Sequence, residues 1–187
     1  RQMCIRDSDK AKALEYWEAA KEELGVETLE LELTCDDAES HQNVAAFIQS
    51  EIETTCPGLI INLRVVPMNQ RLDDMTNGNF QLAIHRTGSS VPNIVAKLGQ
   101  YTTGHALNYG KYSNAEYDAL YNETLASSDE ETIWNNSLDL EEMAQKSAVA
   151  IPVYRGATCQ LVRPGLTGYY HHLIGVSFDF RDARFED

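Results

Sequence analysis

The sequence predicts an α/β fold in which a mixed, mainly parallel sheet is flanked by helices. The prediction depends on residues 29–92, where three strand-like segments alternate with two helical segments and a polar loop follows. Helices between consecutive strands favour crossover connections, which produce parallel strand pairs. Because such sheets bind ligands beyond the carboxyl ends of their strands, the same order indicates where a site would lie. The segments at those ends are residues 34–37, 67–69 and, above all, 85–90.

The three predicted strands have different signatures. Over residues 29–34 leucines alternate with polar residues, which is the two-residue period of a strand with one covered face. Residues 59–66 are rich in Ile, Leu and Val, which favour strands. Phe80, Leu82 and Ile84 alternate again and predict the third strand.

Helical segments precede and separate these strands. Residues 9–24 have apolar residues on one side and end at Gly25, a residue typical of helix C-termini. Residues 69–77 predict a short helix that ends at Gly78. Cys56-Pro57-Gly58 ends the helix between the first two strands, and the apolar residues of that helix recur at helical spacing: Val44, Phe47, Ile48 and Ile52.

Beyond the sheet block the sequence predicts helices and then a change of character. Residues 91–98 suggest a short helix opened by Pro92, and residues 99–110 a surface loop. Ser113 with Glu116 has the capping-box pattern of a helix start. Residues 129–146 predict one more helix. The remainder predicts strands at 148–154 and 159–162, with turns at Pro164, Gly165 and Gly168.

These patterns divide the chain into three parts. Residues 1–8 (RQMCIRDS) resemble translated adapter read-through, so we expect a non-native leader and exclude it from the fold. Residues 9–147 form the predicted α/β lobe, and residues 148–187 a separate structural piece. Since the first residue is not Met, we expect a fragment or a processed chain, in which a missing signal peptide says nothing about location.

Composition and motifs exclude several function classes. The net charge of −14 argues against nucleic-acid binding, and no stretch approaches the ~20 apolar residues of a membrane span. The cysteines at 4, 35, 56 and 159 have no metal-site spacing, and we expect free thiols, with neither metal nor cofactor. No P-loop, G-x-S-x-G elbow, H-E-x-x-H or Rossmann glycine triplet is present, so we expect no catalytic residues.

Five segments, in the right order and spacing, carry a resemblance to a known family. The most specific is YSNAEYDAL at residues 112–120, followed by AIPVY at 150–154. From residue 9 to about 180 the chain resembles the C-terminal part of bacterial oligopeptide/dipeptide-type solute-binding proteins (family 5 extracellular solute-binding proteins), which deliver ligands to ABC transporters. The other three segments are residues 13–20, residues 29–65 with Gln49 near a helix end, and residues 79–82.

The resemblance implies a fold, a role and a location. The fold would be a type II periplasmic-binding-protein-like lobe that closes on a ligand by a hinge. Residues 148–187 would return toward a first lobe and expose apolar faces here. The protein would be a non-enzymatic, extracytoplasmic receptor, periplasmic or a cell-surface lipoprotein, that binds a small peptide or other polar solute. Its partners would be permease subunits, with membrane contact only through an anchor or the transporter.

Aligning Pro92 with the proline of the family's W-x-x-D-Y-x-D-P-like motif places Gly88 where peptide binders carry an acid for the amino terminus. The acidic anchor is missing, so a free-amine peptide is not expected unless an acid from elsewhere, including the first lobe, substitutes for it. We hypothesise that this loop binds an acidic or uncharged ligand. Of His85 and Arg86, at most one is expected to face it squarely. The candidate ligand-binding residues are His85, Arg86, Thr87, Gly88, Ser89, Ser90, Asn108 and Tyr109.

Plainer alternatives stay open at this point. His85 could be a surface or capping residue, and Asn108 and Tyr109 could belong to an ordinary loop. The same fold could serve as a sensory domain of a regulator or kinase. An unrelated α/β enzyme with its site at the same strand ends is the third hypothesis.

Overall fold

A computed structural model shows two compact units, the first ending at Arg86 and the second beginning at Thr87. This division falls inside the predicted lobe, residues 9–147. The three predicted parts stay a prediction. The residues that the structure describes are 9–88, 93–154, 160–172 and 177–186.

The first unit contains a three-stranded sheet in which every strand pair is parallel. Its strands are β1 (Leu29–Asp36), β2 (Leu59–Val66) and β3 (Leu82–Ala83), in the order β2-β1-β3. The pairing of β1 with β2 runs along their whole length, and Ile84 N extends the β3 pairing by donating to Thr34 O at 2.9 Å. The predicted parallel sheet is therefore confirmed, and the carboxyl ends of its strands lie at one edge.

Three helices accompany this sheet: α1 (Lys10–Leu24), α2 (Glu39–Thr55) and α3 (Met68–Asn77). Gly25 and Gly78 follow α1 and α3 with φ of 66° and 77°, the left-handed conformation that ends a helix. These two helices agree with the prediction to within one residue.

The core of the first unit lies between α2 and the sheet, around Leu33, Cys35, Ala45 and Ile61. Both Cys35 and Cys56 are buried and free, as predicted. One prediction fails here: Phe47, part of the expected apolar stripe of α2, is 61% exposed. Ala45 is the buried residue of α2, and Ile48 and Ile52 of the predicted stripe pack against the same core.

The best-packed part of the second unit consists of helices. It contains α4 (Ile94–Leu98), a 3-10 turn (Gly99–Tyr101), α5 (Ala115–Ala126) and α6 (Glu130–Lys146). Tyr117, fully buried in the cluster between these helices, donates its hydroxyl hydrogen to Leu98 O at 2.8 Å.

The starts of α4 and α5 differ from the prediction. Asn93 caps α4, which begins at Ile94 and not at the predicted Pro92, and Asn114, not Ser113, caps α5. In each case the Asn side-chain oxygen accepts two backbone N–H groups of the first turn, which would otherwise lack partners. Pro92 itself lies outside the described residues.

The predicted strands at 148–154 and 159–162 do not form where the structure describes them, and Cys159 lies outside those residues. The described part of the tail, residues 148–187, instead contains the two-residue strands β4 (Leu166–Thr167), β5 (Tyr170–His171), β6 (Phe178–Asp179) and β7 (Arg184–Phe185). They form short antiparallel pairs, β4 with β7 and β5 with β6. A strand needs a neighbour for its backbone groups, and the described part of the tail provides only these two-residue ladders.

Several apolar side chains of the tail are exposed, as the resemblance implied for this segment. Leu161 is fully exposed, with a relative accessibility of 103%. The other large ones among the described residues of the tail are Ile151, Val153, Tyr154, Val162, Tyr170, Phe180 and Phe185.

Candidate ligand-binding site at the carboxyl edge of the sheet

The last residue of β1, Asp36, is a buried carboxylate surrounded by donors. It is 3% exposed. One oxygen lies 2.6 Å from His41 Nδ1 and 3.2 Å from the backbone nitrogen of Ala38. The other accepts from Arg71 Nε at 3.1 Å. The start of α2 and the middle of α3 thus both contribute to the end of β1.

Arg71 connects this carboxylate to the end of the third strand. Its side chain is as buried as that of Asp36, at 3% exposure. Its Nη1 donates to Ile84 O at 2.9 Å and lies 3.2 Å from His85 Nδ1. The sulfur of Met75, one turn later on α3, is a further weak acceptor at 3.3 Å.

The surroundings keep Asp36 ionised. Burial by itself raises the pKa of the Asp36 carboxyl, but the hydrogen bonds from His41 and Ala38 and the positive charges of His41 and Arg71 outweigh burial and lower it. Asp36 and Arg71 therefore form a buried ion pair whose members also satisfy backbone and imidazole groups. Removing one member of such a pair is costly, because the other charge stays buried without compensation.

The predicted loop leaves the sheet directly after this network. His85 and Arg86, the last residues of the first unit, are both exposed. Thr87 and Gly88 begin the second unit and are exposed as well. Ser89 and Ser90 lie outside the described residues.

A lysine on α4 contacts the described start of this loop in the second unit. Lys97 Nζ donates to the hydroxyl oxygen of Thr87 and to the carbonyl oxygen of Gly88, the latter at 3.3 Å. Burial lowers the pKa of the Lys97 ammonium. No carboxylate in the described part of the chain lies within ion-pair distance of it, although the sequence has 29 acidic residues against 15 basic ones.

The remaining candidates, Asn108 and Tyr109, lie in the loop before α5. Asn108 is buried and holds this loop together: its amide donates to Thr102 O and Tyr112 O, and its oxygen accepts from Tyr112 N. This geometry favours the alternative of an ordinary loop for Asn108. Tyr109 is half-buried, and a ligand role for either residue stays a prediction.

No model of a protein family matches the chain. It is 30% identical over 181 residues to a dipeptide-binding protein of Lactococcus lactis subsp. cremoris (strain MG1363), which covers 94% of this chain and 32% of the relative. It is 25% identical to the "Probable deoxycholate-binding periplasmic protein YgiS" of Escherichia coli (strain K12), over 77% of this chain and 27% of the relative.

Among solved structures, the substrate-binding domain of an oligopeptide ABC transporter from Bacillus anthracis str. Ames superposes with a TM-score of 0.83. The match has 20% identity and covers 97% of this chain and 36% of that one. The resemblance to the oligopeptide/dipeptide-type solute-binding proteins is confirmed. So is the type II periplasmic-binding-protein-like fold. The chain spans about a third of the length of the curated relatives it matches, 32% and 27%.

The structure adds three residues to the candidate site that the sequence had indicated. Sequence reasoning included Asp36 in a strand-end segment and His85 in the loop, but it missed His41, Arg71 and Lys97. Arg71 left one signal in the sequence: it lies one helical turn before the apolar Met75 in the predicted helix, and the structure buries both.

Neither a metal centre nor a membrane span is found in the described ranges. No three His, Cys, Asp or Glu side chains there gather closely enough to hold a metal ion. None of the helices described is long and apolar enough to cross a membrane.

Proposed function

We propose that this chain is the ligand-clasping part of the solute-binding component of an ABC transporter. Its relative from Lactococcus lactis is described as a dipeptide-binding protein, and the neighbouring solved structure is the substrate-binding domain of an oligopeptide transporter. The role is non-enzymatic: the ligand stabilises a hinge-closed state through contacts that the open state lacks.

The same proposal includes where the protein works and with what. The receptor is extracytoplasmic, in the periplasm or on the cell surface, and it hands its solute to permease subunits of the transporter. Contact with a membrane runs through an anchor or through that transporter. The net charge of −14 is carried on solvated surfaces, or used in docking on the permease.

For the ligand, we propose an acidic or uncharged polar solute in place of a peptide with a free amino terminus. The observation that carries this choice is the ammonium of Lys97, which lies against Thr87 and Gly88 at the start of the loop. A cation at this place repels a ligand ammonium and attracts a carboxylate or a carbonyl oxygen. Deoxycholate, the ligand in the name of one relative, is a carboxylate without an amino group.

Calorimetry on the full product of the gene tests this choice. Short peptides with a free amino terminus are compared with their acetylated forms, and we expect the acetylated forms to bind more tightly. Lys97→Met should weaken their binding by about tenfold, which is the loss of one charge-assisted contact. Lys146→Met, which removes an exposed lysine of α6, is the matched control and should bind as the natural protein does. Preference for the free-amine peptides would refute the proposed ligand class.

A further inference from the structure

The sheet holds its two crossover helices in different ways, α2 through an apolar core and α3 through ion pairs. We propose that α3 opens from the sheet as a separate unit in acid while α2 stays folded, and that the opened state does not hold a ligand. The part about the ligand rests on the proposed function, whereas the part about the two helices does not.

The helix α2 packs on the sheet mainly through apolar side chains. Ala45 of α2 belongs to one buried cluster with Leu33, Cys35 and Ile61 of the strands. The half-buried side chains packed against this cluster are apolar as well: Leu31, Ile48, Ile52, Leu59, Leu82 and Ile84. None of these groups gains or loses a charge when the pH falls, so their burial stabilises α2 in acid as it does at neutral pH.

The helix α3, in contrast, buries charged side chains. Arg71 and Asp74 are 3% and 6% exposed, beside the apolar Met75. Each of the two charges has an opposite charge on a strand of the sheet. Asp36 Oδ2 of β1 lies 3.1 Å from Arg71 Nε. Arg64 Nη1 of β2 lies 2.8 Å from Asp74 Oδ2. The seat of α3 on the sheet therefore depends on two carboxylates that stay ionised.

Acid acts on this seat through those carboxylates. Hydrogen bonds with Arg64 and Gln70 lower the pKa of Asp74 in spite of its burial, and the pKa of Asp36 is lowered as well. When α3 leaves the sheet, each carboxylate loses its arginine, so both pKas move back toward their ordinary value of about 4. Below that pH the opened state binds more protons than the closed one, and opening becomes more favourable as the pH falls.

The other titratable groups at these ion pairs belong to the neighbouring elements. Glu32 of β1 lies 3.7 Å from the guanidinium of β2. His41, at the start of α2, lies 2.6 Å from Asp36, and neither residue belongs to α3. His85 Nδ1, after β3, lies 3.2 Å from Arg71 Nη1. A protonated imidazole repels a guanidinium, so this last contact also favours opening in acid.

Opening of α3 reaches the end of β3, where the candidate ligand-binding loop begins. This strand comprises Leu82–Ala83, and Ile84 N makes the last bond of its ladder, to Thr34 O. The next carbonyl, Ile84 O, accepts from Arg71 Nη1 at 2.9 Å. A loop that starts at this carbonyl loses the bond that fixes its direction when α3 leaves. The opened state is therefore one in which the ligand edge is not formed.

Hydrogen exchange of the full product of the gene tests the opening, read by mass spectrometry on peptides from each helix. Exchange is followed from pH 6 to pH 3 and corrected for the intrinsic rate at each pH. Uptake of one proton changes an equilibrium tenfold per pH unit, so we expect the opening of α3 to increase about tenfold between pH 4 and pH 3. At pH 3 the amides of α2 should stay at least about tenfold better protected than those of α3. Equal protection of the two helices at every pH, or an opening of α3 that does not depend on pH, would overturn the inference.

A variant then shows whether the carboxylate of α3 is a cause. Asp74→Asn keeps the shape of the side chain but cannot titrate, so the increase between pH 4 and pH 3 should become at least about threefold smaller. Lys10→Met/Glu51→Gln removes an exposed ion pair between α1 and α2 and should leave the increase unchanged. If Asp74→Asn does not fold, Arg64→Met/Asp74→Leu, which removes both charges of the pair, takes its place. An undiminished increase without the carboxylate would contradict the ionic seat.

The part about the ligand has its own measurement. Acetylated peptides with an amidated carboxyl end have no titratable terminus. At a hundred times their dissociation constant they should slow the opening of α3 by up to about a hundredfold, because they bind the closed state alone. If calorimetry shows that they bind while exchange of α3 is unchanged, the inference is overturned and the proposed function stands. If they do not bind at all but α3 opens in acid ahead of α2, the proposed ligand class fails and the behaviour of α3 stands.

Discussion

The first unit, called the sheet unit here because it contains the sheet, differs from the tail in which side chains it buries. In the sheet unit, the ionic side chains of Asp36 and Arg71 are buried, while in the tail Leu161 and Ile151 face solvent. The buried charges have several partners each, and the exposed apolar side chains lie outside any ladder longer than two residues.

The difference separates a region whose buried charges are satisfied from one whose apolar side chains stay uncovered. Burying a carboxylate and a guanidinium is unfavourable unless their hydrogen bonds are satisfied, and here each of the two has several partners. Exposed apolar side chains close together in sequence are typical of a surface that another segment covers. On the proposed function, that segment would belong to the first lobe of the receptor.

The strongest test of the comparison removes the carboxylate. Asp36→Ala leaves Arg71 buried without a countercharge and should lower the free energy of unfolding by about 3–5 kcal/mol, as measured by urea denaturation. Asp37→Ala, which changes the exposed neighbour, should stay within about 0.5 kcal/mol of the natural chain. Similar losses in the two variants would mean that the network contributes no more than a surface charge.

A buried polar group outside the sheet unit should have a smaller effect. Tyr117→Phe keeps the packed ring but leaves Leu98 O without its donor, so we expect a loss of about 1–3 kcal/mol. Tyr154→Phe removes a hydroxyl from an exposed tyrosine of the tail and should be neutral. If the two substitutions had equal effects, the Tyr117 hydrogen bond would have no net value.

Acid should weaken the sheet network in a defined pH window. The pKa of Asp36 is lowered by folding, so its contribution is complete above the unfolded-state pKa of about 4 and is lost as the pH falls through the lower folded-state pKa. Between pH 5 and 2, the unfolding free energy of the natural chain should therefore fall more steeply than that of Asp36→Asn. Parallel curves would show that Asp36 has the same pKa in both states.

The smallest effect is expected in the tail. Leu161→Asp should change the free energy of unfolding by no more than about 0.5 kcal/mol, because the side chain is already in water. A loss above about 1 kcal/mol would show that the tail packs more tightly than its exposure indicates.

Prediction from sequence worked where local patterns decide the structure. The alternation of residues 29–34, the apolar run of 59–66 and the glycines after α1 and α3 predicted those elements to within one or two residues. It failed in the tail, since β-branched and aromatic residues at 148–154 favour a strand but cannot supply its partner. It was one residue off at the start of α5, because Ser113 and Asn114 are both good caps and the local pattern does not distinguish them.

For this protein, the sequence by itself determined the order of helices and parallel strands, the strand end at which a loop of polar residues follows, and the family resemblance. Only the tertiary structure decided that α2 and α3 bring His41 and Arg71 to Asp36, and that Arg71 reaches His85. The physical reason is that strand and helix periods are local, whereas these partners lie 5 to 35 residues apart and meet through packing.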